Sequence, residues 1–470
     1  MRLRAAAAAA LLGCWLAPPV APAAAQSEPN CAWQFRLDTD GVNSLYLDKA
    51  VTYWVTRLPV LPDSSLTITG EFPHSRYISF TTYDPRTRAV DSIFDAQIQP
   101  DAGSTNPFLP GASRTALPRS YAVSVKHDTN PPDHTPGDNT IYTESAEFFV
   151  VYRIYLADSG TGRNGGVALP AITYKIGNRS QAVPTCSQNP MPYPTTTQLN
   201  DLLGNQPQLP DCPGTDPPTW HRFYNFGTSV AQGTQCGNEN QFAQQATPFS
   251  MKAGPGGFLE DRENAYLYTL INEGQPEGPV LRIHARAPTT PPTFEHDATM
   301  QGGVNLRYWS VCSYSLDQRN LDCLFDQAIA RNPDGTYTIA VASPANKPSC
   351  GNWLRFGSVL ILRNQLPAPQ SAFPYAVHYA HEGRSLQADM GGYFPAAAYI
   401  TRQAFEQQPG CATAAPANAA SSAGTARSGS SLPFTAAAAR NWIALAVLII
   451  LGLLLAGVTL ALRSTGPIRG

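Results

Sequence analysis

The side chains whose types could carry chemistry occur twice in this sequence, at the same spacing. Each set combines a cation, a phenol and a carboxylate: Arg76, Tyr83 and Asp95 in the first, Arg307, Tyr314 and Asp326 in the second. An arginine, a tyrosine and a carboxylate can bind a sugar, and a pair of carboxylates can act as acid and base. The sets therefore predict either a binding site or a carbohydrate-active hydrolase that uses Asp95 and Asp326.

A structural interpretation of the same residues is favoured over the catalytic one. Both copies keep the set, whereas a substrate rarely needs two equal sites. Arginine–aspartate pairs also fix strand registers and turns inside a fold. We therefore expect Asp95 and Asp326 to be buried against Arg76 and Arg307, and we predict no catalytic residue.

The two sets belong to an internal repeat. "RYISFTTYDPRTRAVDSIFDAQI" from Arg76 aligns without gaps to "RYWSVCSYSLDQRNLDCLFDQAI" from Arg307, with nine of 23 positions identical. Upstream the offset changes, and it places Ala50, Tyr53, Leu66, Ile68 and Pro73 on Ala265, Tyr268, Leu281, Ile283 and Pro288. The change of offset indicates an insertion after Pro288 in the second copy.

Short alternating segments such as "SLTITGEF", "YAVSV" and "FFVVYRIYL" recur in each copy. Segments rich in Thr, Val, Ile and Tyr, interrupted by Pro, Gly and Asn, are typical of antiparallel strands. The sequence therefore predicts an all-β protein with two tandem antiparallel β-sandwich or jelly-roll domains, residues 26–185 and 212–410. A Pro-rich linker, 186–211, would join them.

Three stretches of the second copy resemble a known pattern: "RYWSVCSY", "NPDGTYTIAVASP" and "NWLRFGSVLILRNQLP". They are similar to bacterial jelly-roll domains of unknown function (domain of unknown function 1214/1254 type). The insertion after Pro288 and the cysteines depart from that pattern. The resemblance implies a β-sandwich fold and implies no activity.

Cysteine usage points to an oxidising compartment. Eight cysteines remain after removal of the predicted signal peptide, an even number that allows four disulfides. Cys312 and Cys323 flank a turn symmetrically, and their counterparts Thr81 and Ser92 lack both thiols, so we predict a cross-strand disulfide. The other predicted pairs are Cys31–Cys186, Cys212–Cys236 and Cys350–Cys411. The chain has no C-x-x-C motif, and no metal or other cofactor is predicted.

The amino terminus is typical of a secreted protein. "MRLR" is a basic start, an apolar segment too short to span a bilayer follows, and "APAAA" precedes Gln26. We therefore predict a signal peptide over residues 1–25. An alternative interpretation takes "LLGC" as a lipoprotein box that would place a lipid on Cys14.

The carboxyl terminus predicts attachment to the envelope. A flexible Ala/Ser/Gly stalk (411–439) precedes a transmembrane helix (440–463) and a cytoplasmic tail (464–470), with residues 442–462 in the lipid bilayer. The tetrad Leu432, Pro433, Phe434 and Thr435 resembles the sorting signal cut by sortases. Ala436 stands where that signal has glycine, so a permanent single-pass membrane protein is the alternative.

Charge and aromatic content narrow the function further. The net charge is −2 and 14% of residues are charged, without the basic stripe that nucleic-acid binding requires. Trp220 in "WHRFYNF", and the segment "FPYAVHYAHEG", could stack on sugars or pack inside the fold. The sequence favours a non-catalytic binding or envelope module at the cell surface, with sortase and cell-wall glycan as partners; the alternative is an extracytoplasmic hydrolase.

Overall fold

A computed structural model describes the protein over most of its two repeats. The described residues are 31–59, 64–85, 87–130, 137–186, 215–223, 263–365 and 385–408, with 132, 194, 259, 261 and 411. All of them belong to one compact unit, Met1–Ala417. The other unit, Asn418–Gly470, lies outside the described residues.

The first repeat forms two five-stranded sheets. Its strands are β1 (Phe35–Leu37), β2 (Val51–Pro59), β3 (Ser64–Glu71), β4 (Ser75–Tyr83), β5 (Ala89–Phe94), β6 (Ser120–His127), β7 (Thr140–Thr143), β8 (Glu147–Ala157), β9 (Ala171–Ile176) and β10 (Arg179–Val183). The inner sheet has the order β1-β2-β8-β4-β5, and the outer sheet has the order β10-β9-β3-β6-β7.

The second repeat forms one five-stranded and one four-stranded sheet. Its strands are β11 (His221–Phe223), β12 (Asn264–Leu270), β13 (Val280–Arg286), β14 (Tyr308–Tyr314), β15 (Asn320–Phe325), β16 (Thr336–Ala342), β17 (Asn352–Arg355), β18 (Val359–Gln365) and β19 (Ala396–Ile400). The orders are β11-β12-β18-β14-β15 for the inner sheet and β17-β16-β13-β19 for the outer sheet. Two short helices, α1 (Leu386–Met390) and α2 (Arg402–Glu406), flank β19.

The two repeats share one topology. Replacing β1–β9 by β11–β19 converts the first pair of sheets into the second, and β10 alone has no counterpart among the described strands. A register shift occurs at Thr82/Tyr83 and again at the equivalent Ser313/Tyr314. The all-β prediction is confirmed, with one difference: β6–β7 and β16–β17 pair in parallel.

Each repeat encloses its own apolar core between its two sheets. Ile78 and Phe80 of β4 pack with Leu66, Ile68 and other residues of the first core. The equivalent second core contains Trp309 and Val311 of β14 with strands β12, β13, β16 and β18. Side chains alternate between faces along a strand, so each repeat is a β-sandwich.

Strands β4 and β14 are buried on both faces. Every residue of β4 and every residue of β14 is buried, including Tyr77 and Tyr308 on the face opposite the sandwich core. Tyr77 and Tyr308 lie in one apolar cluster with Val51 and Tyr155, which combines residues of both repeats. The inner sheets therefore face each other across a buried contact between repeats.

Strand registers confirm one part of the sequence alignment and correct another. Leu66 lies opposite Val125, and Leu281 lies opposite Val341, as the predicted match of these strands requires. In β2, however, Tyr53 lies opposite Arg153, whereas in β12 it is Tyr266 that lies opposite Arg363. The predicted match of Tyr53 with Tyr268 is therefore wrong by two residues, because the loop between these strands and β13 differs in length.

The insertion after Pro288 joins the second repeat to the first. Gly111 N donates to Met300 O at 2.8 Å, and Met300 N donates to Ala112 O at 3.1 Å. The side chain of Met300 is buried in the core of the first repeat. The insertion thus extends the contact between the repeats with both backbone pairing and apolar burial.

Three of the four predicted disulfides are confirmed. Cys312–Cys323 lies within the β14–β15 pair, with a Cα–Cα distance of 4.1 Å. Cys31–Cys186 and Cys350–Cys411 each have Cα–Cα distances of 5.0 Å. The predicted pair Cys212–Cys236 lies outside the described residues.

The predicted terminal segments also lie outside the described residues. They comprise the signal peptide, residues 1–25, most of the linker 186–211, nearly all of the stalk 411–439, the transmembrane helix 440–463 and the tail. No helix within the described part of the chain is long and apolar enough to cross a membrane.

Candidate functional site

The repeated arginines and aspartates form two ion pairs that cross from one repeat to the other. Arg76 Nη1 lies 2.7 Å from Asp326 Oδ2, and Arg307 Nη2 lies 3.1 Å from Asp95 Oδ1. The expected burial is observed, since both carboxylate side chains have 0% exposure. Each aspartate therefore binds the arginine of the other copy rather than that of its own.

Each of these aspartates also closes a turn within its own repeat. Asp95 Oδ2 accepts from the backbone N–H of Ile78 at 3.1 Å, and Asp326 Oδ2 accepts from that of Trp309 at 3.3 Å. Ile78 and Trp309 are equivalent positions of β4 and β14 in the repeat alignment. One carboxylate thus connects the local strand to the opposing repeat, which explains why the whole set recurs.

A second reciprocal contact is built on Arg153 and Arg363, which end equivalent strand segments. Arg153 donates to Tyr83 Oη and, at 2.5 Å, to the carbonyl of Leu259. Arg363 donates to Tyr314 Oη at 2.6 Å and to the carbonyl of Tyr46. Each guanidinium therefore pairs with a tyrosine of its own repeat and a loop carbonyl of the other.

The two loop carbonyls are presented by a matching backbone conformation. Leu259 has a φ of 55° and Tyr46 has a φ of 54°, both in the left-handed region that non-glycine residues rarely adopt. The cost of this conformation is offset where a carbonyl meets a buried guanidinium, because charge-assisted hydrogen bonds are the stronger ones. The recurrence of this strain in both repeats indicates a structural requirement.

A third pair of equivalent residues, Asp48 and Asp261, reaches from each repeat to the hydroxyl groups of the other. Asp48 accepts from Tyr308 at 3.0 Å and from Ser310 at 2.5 Å. Asp261 Oδ2 accepts from Tyr155 at 2.8 Å. We call these three pairs of contacts the inter-repeat polar network; its charged members are Asp48, Arg76, Asp95, Arg153, Asp261, Arg307, Asp326 and Arg363.

Burial controls the ionisation of this network. Burial raises the pKa of Asp95 to about 6, against the opposing effects of Arg307 and the backbone N–H of Ile78. Burial also lowers the pKa of Arg76, and Asp326 opposes that effect. For Tyr308, burial and then Asp48 raise the pKa well above its usual value, so this hydroxyl remains a neutral hydrogen-bond donor.

The buried position of Asp95 and Asp326 is unfavourable for catalysis. An acid with a pKa near 6 suits proton transfer, yet the Asp95 carboxyl contacts Arg307 and Ile78 and is fully covered. A substrate could reach it only if the repeats separated. The binding candidates Tyr83 and Tyr314 are likewise 0% exposed, and Arg76 and Arg307 are engaged as described.

Trp220, the predicted member of an exposed aromatic platform, is a core residue. Its exposure is 2%, and it packs with Ala265 and Leu267 in the core of the second sandwich. The platform prediction is therefore wrong for this residue, because the chain before β11 turns the indole inward. The segment "FPYAVHYAHEG" lies outside the described residues.

The sequence comparison missed Asp48 and Asp261 although a signal was present. Both residues lie on an offset that matches Tyr53 to Tyr266, the correspondence that the strand registers establish. The alignment used a neighbouring offset, which paired Tyr53 with Tyr268 and left the two aspartates unmatched. Arg153 and Arg363 had been aligned at the ends of "FVVYR" and "VLILR", but nothing in the sequence showed what they bind.

One group of potential metal ligands occurs in the part of the chain that the structure describes. Asp48, Cys312 and Cys323 offer ligand atoms within 4.8 Å of one another. The disulfide consumes both sulfurs, and Asp48 is occupied by Tyr308 and Ser310. Metal ligation requires thiolates, so the oxidised protein holds no metal there.

Comparisons with known proteins give no functional assignment. No family model matches the chain, and no curated protein is significantly similar to it. A putative uncharacterised protein from Burkholderia cenocepacia has a similar structure at 14% identity and a TM-score of 0.39, covering 68% of this chain and 74% of that one. The VPA0106 protein from Vibrio parahaemolyticus follows at 12% identity and a TM-score of 0.35, covering 76% and 90%. Likenesses this distant carry no argument about function.

Proposed function

We propose that the protein is an exported, envelope-anchored module without catalytic activity, which presents two fused β-sandwiches outside the cytoplasmic membrane. One observation carries the proposal. The repeated ionisable residues, the strongest candidates for chemistry, are consumed in ion pairs between the repeats. Residues used to fix one repeat on the other are not free to act on a substrate.

Export is supported by the disulfides. Three cysteine pairs, separated by 155, 11 and 61 residues, are bonded. Disulfides of this kind persist in oxidising compartments and are rare in the cytosol. They agree with the signal peptide expected over residues 1–25.

Attachment is proposed from the carboxyl-terminal sequence. A stalk, a single transmembrane helix over 440–463 and a basic tail would hold the sandwiches, which we place among the jelly rolls, at the membrane. Ala436 in place of glycine favours permanent membrane anchoring over transfer to the wall by a sortase. The inter-repeat polar network suits this arrangement, because it supports one rigid body at the end of a flexible stalk.

The anchoring proposal is tested with a reporter fused after Gly470. Activity of a cytoplasmic reporter, together with protease sensitivity of the sandwiches in intact cells, is the expected result. A reporter active only outside the membrane would overturn the orientation. A smaller, wall-linked form that disappears on replacement of Thr435 by Ala would instead establish sorting.

A second candidate function, an extracytoplasmic hydrolase, rests on the raised pKa of Asp95. Its test compares sugar release from cell-wall glycan by the full chain and by Asp95→Asn. Equal release, or none, from both proteins is expected. Loss of release in a variant that unfolds at the wild-type temperature would overturn the non-catalytic proposal.

A further inference from the structure

The outward face of the second repeat's outer sheet carries a row of cationic side chains. Arg282, His284 and Arg286 alternate along β13 with the buried Leu281, Ile283 and Ala285, so the three share the face that points away from the core. Arg282 and His284 are half-buried, and Arg286 is exposed. We call these three residues the cationic row.

Small side chains border the cationic row on both neighbouring strands. Arg282 lies between Ala340 of β16 and Ala398 of β19, and His284 lies between Thr338 and Ala396. Because an arginine or histidine projects further than alanine or threonine, the row stands above a low floor on both sides. The surface is shaped to receive an extended molecule along β13.

The two arginines of the row lack acidic partners. Within the described part of the chain, no carboxylate forms an ion pair with Arg282 or Arg286, whereas Arg76, Arg114, Arg307 and most other arginines have one. Arg282 Nε is shielded from solvent and has no hydrogen-bond partner. Asp334, on the turn before β16, accepts from the backbone and hydroxyl of Thr336.

An aromatic ring supports one end of the row. The Arg286 guanidinium lies 5.8 Å from the centroid of the Tyr393 ring. Stacking of this kind orders an arginine without neutralising its charge. The guanidinium is thus positioned to bind an anion while its own side-chain freedom is already reduced.

The first repeat has no such row at the equivalent positions. The strand register places Thr67, Thr69 and Glu71 of β3 where β13 has Arg282, His284 and Arg286. The inter-repeat polar network is shared by both copies, so these cations are not needed to build the sandwich. A difference confined to an outward face indicates a role that only the second repeat performs.

We propose that the cationic row binds a linear anionic glycan, with carboxylate or phosphate groups along its chain. Side chains on one face of a strand recur at about 6.7 Å, so the row presents three donors over about 13 Å. A single small anion would meet one of them, whereas a linear polymer can meet all three. The inference rests on the proposed surface exposure of the sandwiches and adds the ligand and its position.

The test measures binding of the purified full chain to polygalacturonate, to poly(glycerol phosphate) and to fully methyl-esterified polygalacturonate. We expect binding to one or both anionic polymers and none to the neutral ester. Replacement of both arginines, Arg282→Ser with Arg286→Ser, should weaken binding by about tenfold or more, since each lost charge-assisted contact contributes close to a factor of three to ten. The preferred anionic polymer then identifies the carboxylate or phosphate chemistry.

A charge-matched control separates this site from general electrostatic attraction. Lys175→Ser with Arg179→Ser removes two exposed cations from the first repeat and should change binding by less than about twofold. Equal losses in both double variants would overturn the proposal, as would failure of the wild type to bind either polymer. If the double variant unfolds more easily, Arg286→Gln alone, on an exposed side chain, should still weaken binding by about threefold.

The anchoring proposal has an independent readout. A chain that faces the outside by reporter and protease tests, yet binds neither polymer, would overturn only the glycan inference. A chain that binds an anionic polymer through the row but remains in the cytoplasm would overturn the proposed function.

Discussion

The facing surfaces of the two repeats and their outer surfaces have diverged to different degrees. Between the repeats, Arg76 and Asp326 mirror Arg307 and Asp95, and Arg153 mirrors Arg363. On the outer sheets, Thr67, Thr69 and Glu71 of one repeat correspond to Arg282, His284 and Arg286 of the other. The contrast separates residues that hold the molecule together from residues that are free to specialise.

The largest effect is expected from breaking one crossed ion pair. Arg76→Ala leaves the Asp326 carboxylate buried without its cation, which should lower the free energy of unfolding by about 3–5 kcal/mol. Chemical denaturation with fluorescence detection measures this. The control is Arg57→Ala, which removes an exposed pair with Glu147 and should change stability by less than about 1 kcal/mol. Similar small losses in both variants would show that the crossed pairs do not hold the repeats together.

A smaller effect is expected from converting the disulfide of the second repeat to its first-repeat counterpart. Cys312→Thr with Cys323→Ser installs the residues of Thr81 and Ser92 and should cost about 3 kcal/mol, because the closed loop spans 11 residues. Cys312→Ser alone should cost more, since the remaining thiol can pair wrongly. Melting curves and non-reducing peptide maps measure both. Free alkylation of either thiol in the native protein would contradict the prediction.

The raised pKa of Asp95 predicts a pH dependence of similar or smaller size. A carboxyl with a folded-state pKa of about 6, above its usual 3.8, takes up a proton on folding, so its contribution is fully present at low pH and is lost as the pH rises through about 6. Compared with Asp95→Asn, the wild type should therefore lose about 2 kcal/mol of stability between about pH 4 and pH 7. Urea unfolding across this range measures the difference. A constant difference between the two proteins would show that Asp95 is charged throughout.

The smallest effect on stability is expected at the outer surface. Arg282→Thr, His284→Thr and Arg286→Glu together give β13 the outward residues of β3. The free energy of unfolding should change by no more than about 0.5 kcal/mol, because these side chains form no ion pair among the described residues. Thermal unfolding tests this. A large loss would assign the cationic row a structural role and remove the contrast between inner and outer surfaces.

Much of the fold could be predicted from local sequence patterns. Alternation of polar and apolar residues in "SLTITGEF" marked β3, and nine identities between β4–β5 and β14–β15 established the duplication. The paired replacement of Thr81 and Ser92 by Cys312 and Cys323 indicated a bonded pair, which the structure contains. These features depend on residues close together in the chain, or on a direct comparison of two copies.

The partners of the repeated charges could not be predicted in this way. Sequence analysis expected Asp95 and Asp326 to be buried against Arg76 and Arg307 but contained nothing to show that the pairs cross. Arg76 and Asp326 are 250 residues apart, and Arg307 and Asp95 are 212 apart. Either arrangement satisfies the same composition, so only the packing of one sandwich on the other selects between them.

The sequence by itself therefore determined the all-β class, the duplication and three disulfide pairs, because strand periodicity and repeat identity are written along the chain. The tertiary structure alone decided that Trp220 is buried, that Met300 enters the core of the other repeat and that the charged set joins the two copies. Burial of a side chain between two surfaces depends on which surfaces meet. That choice is made by the summed contacts of both repeats, and no local pattern encodes it.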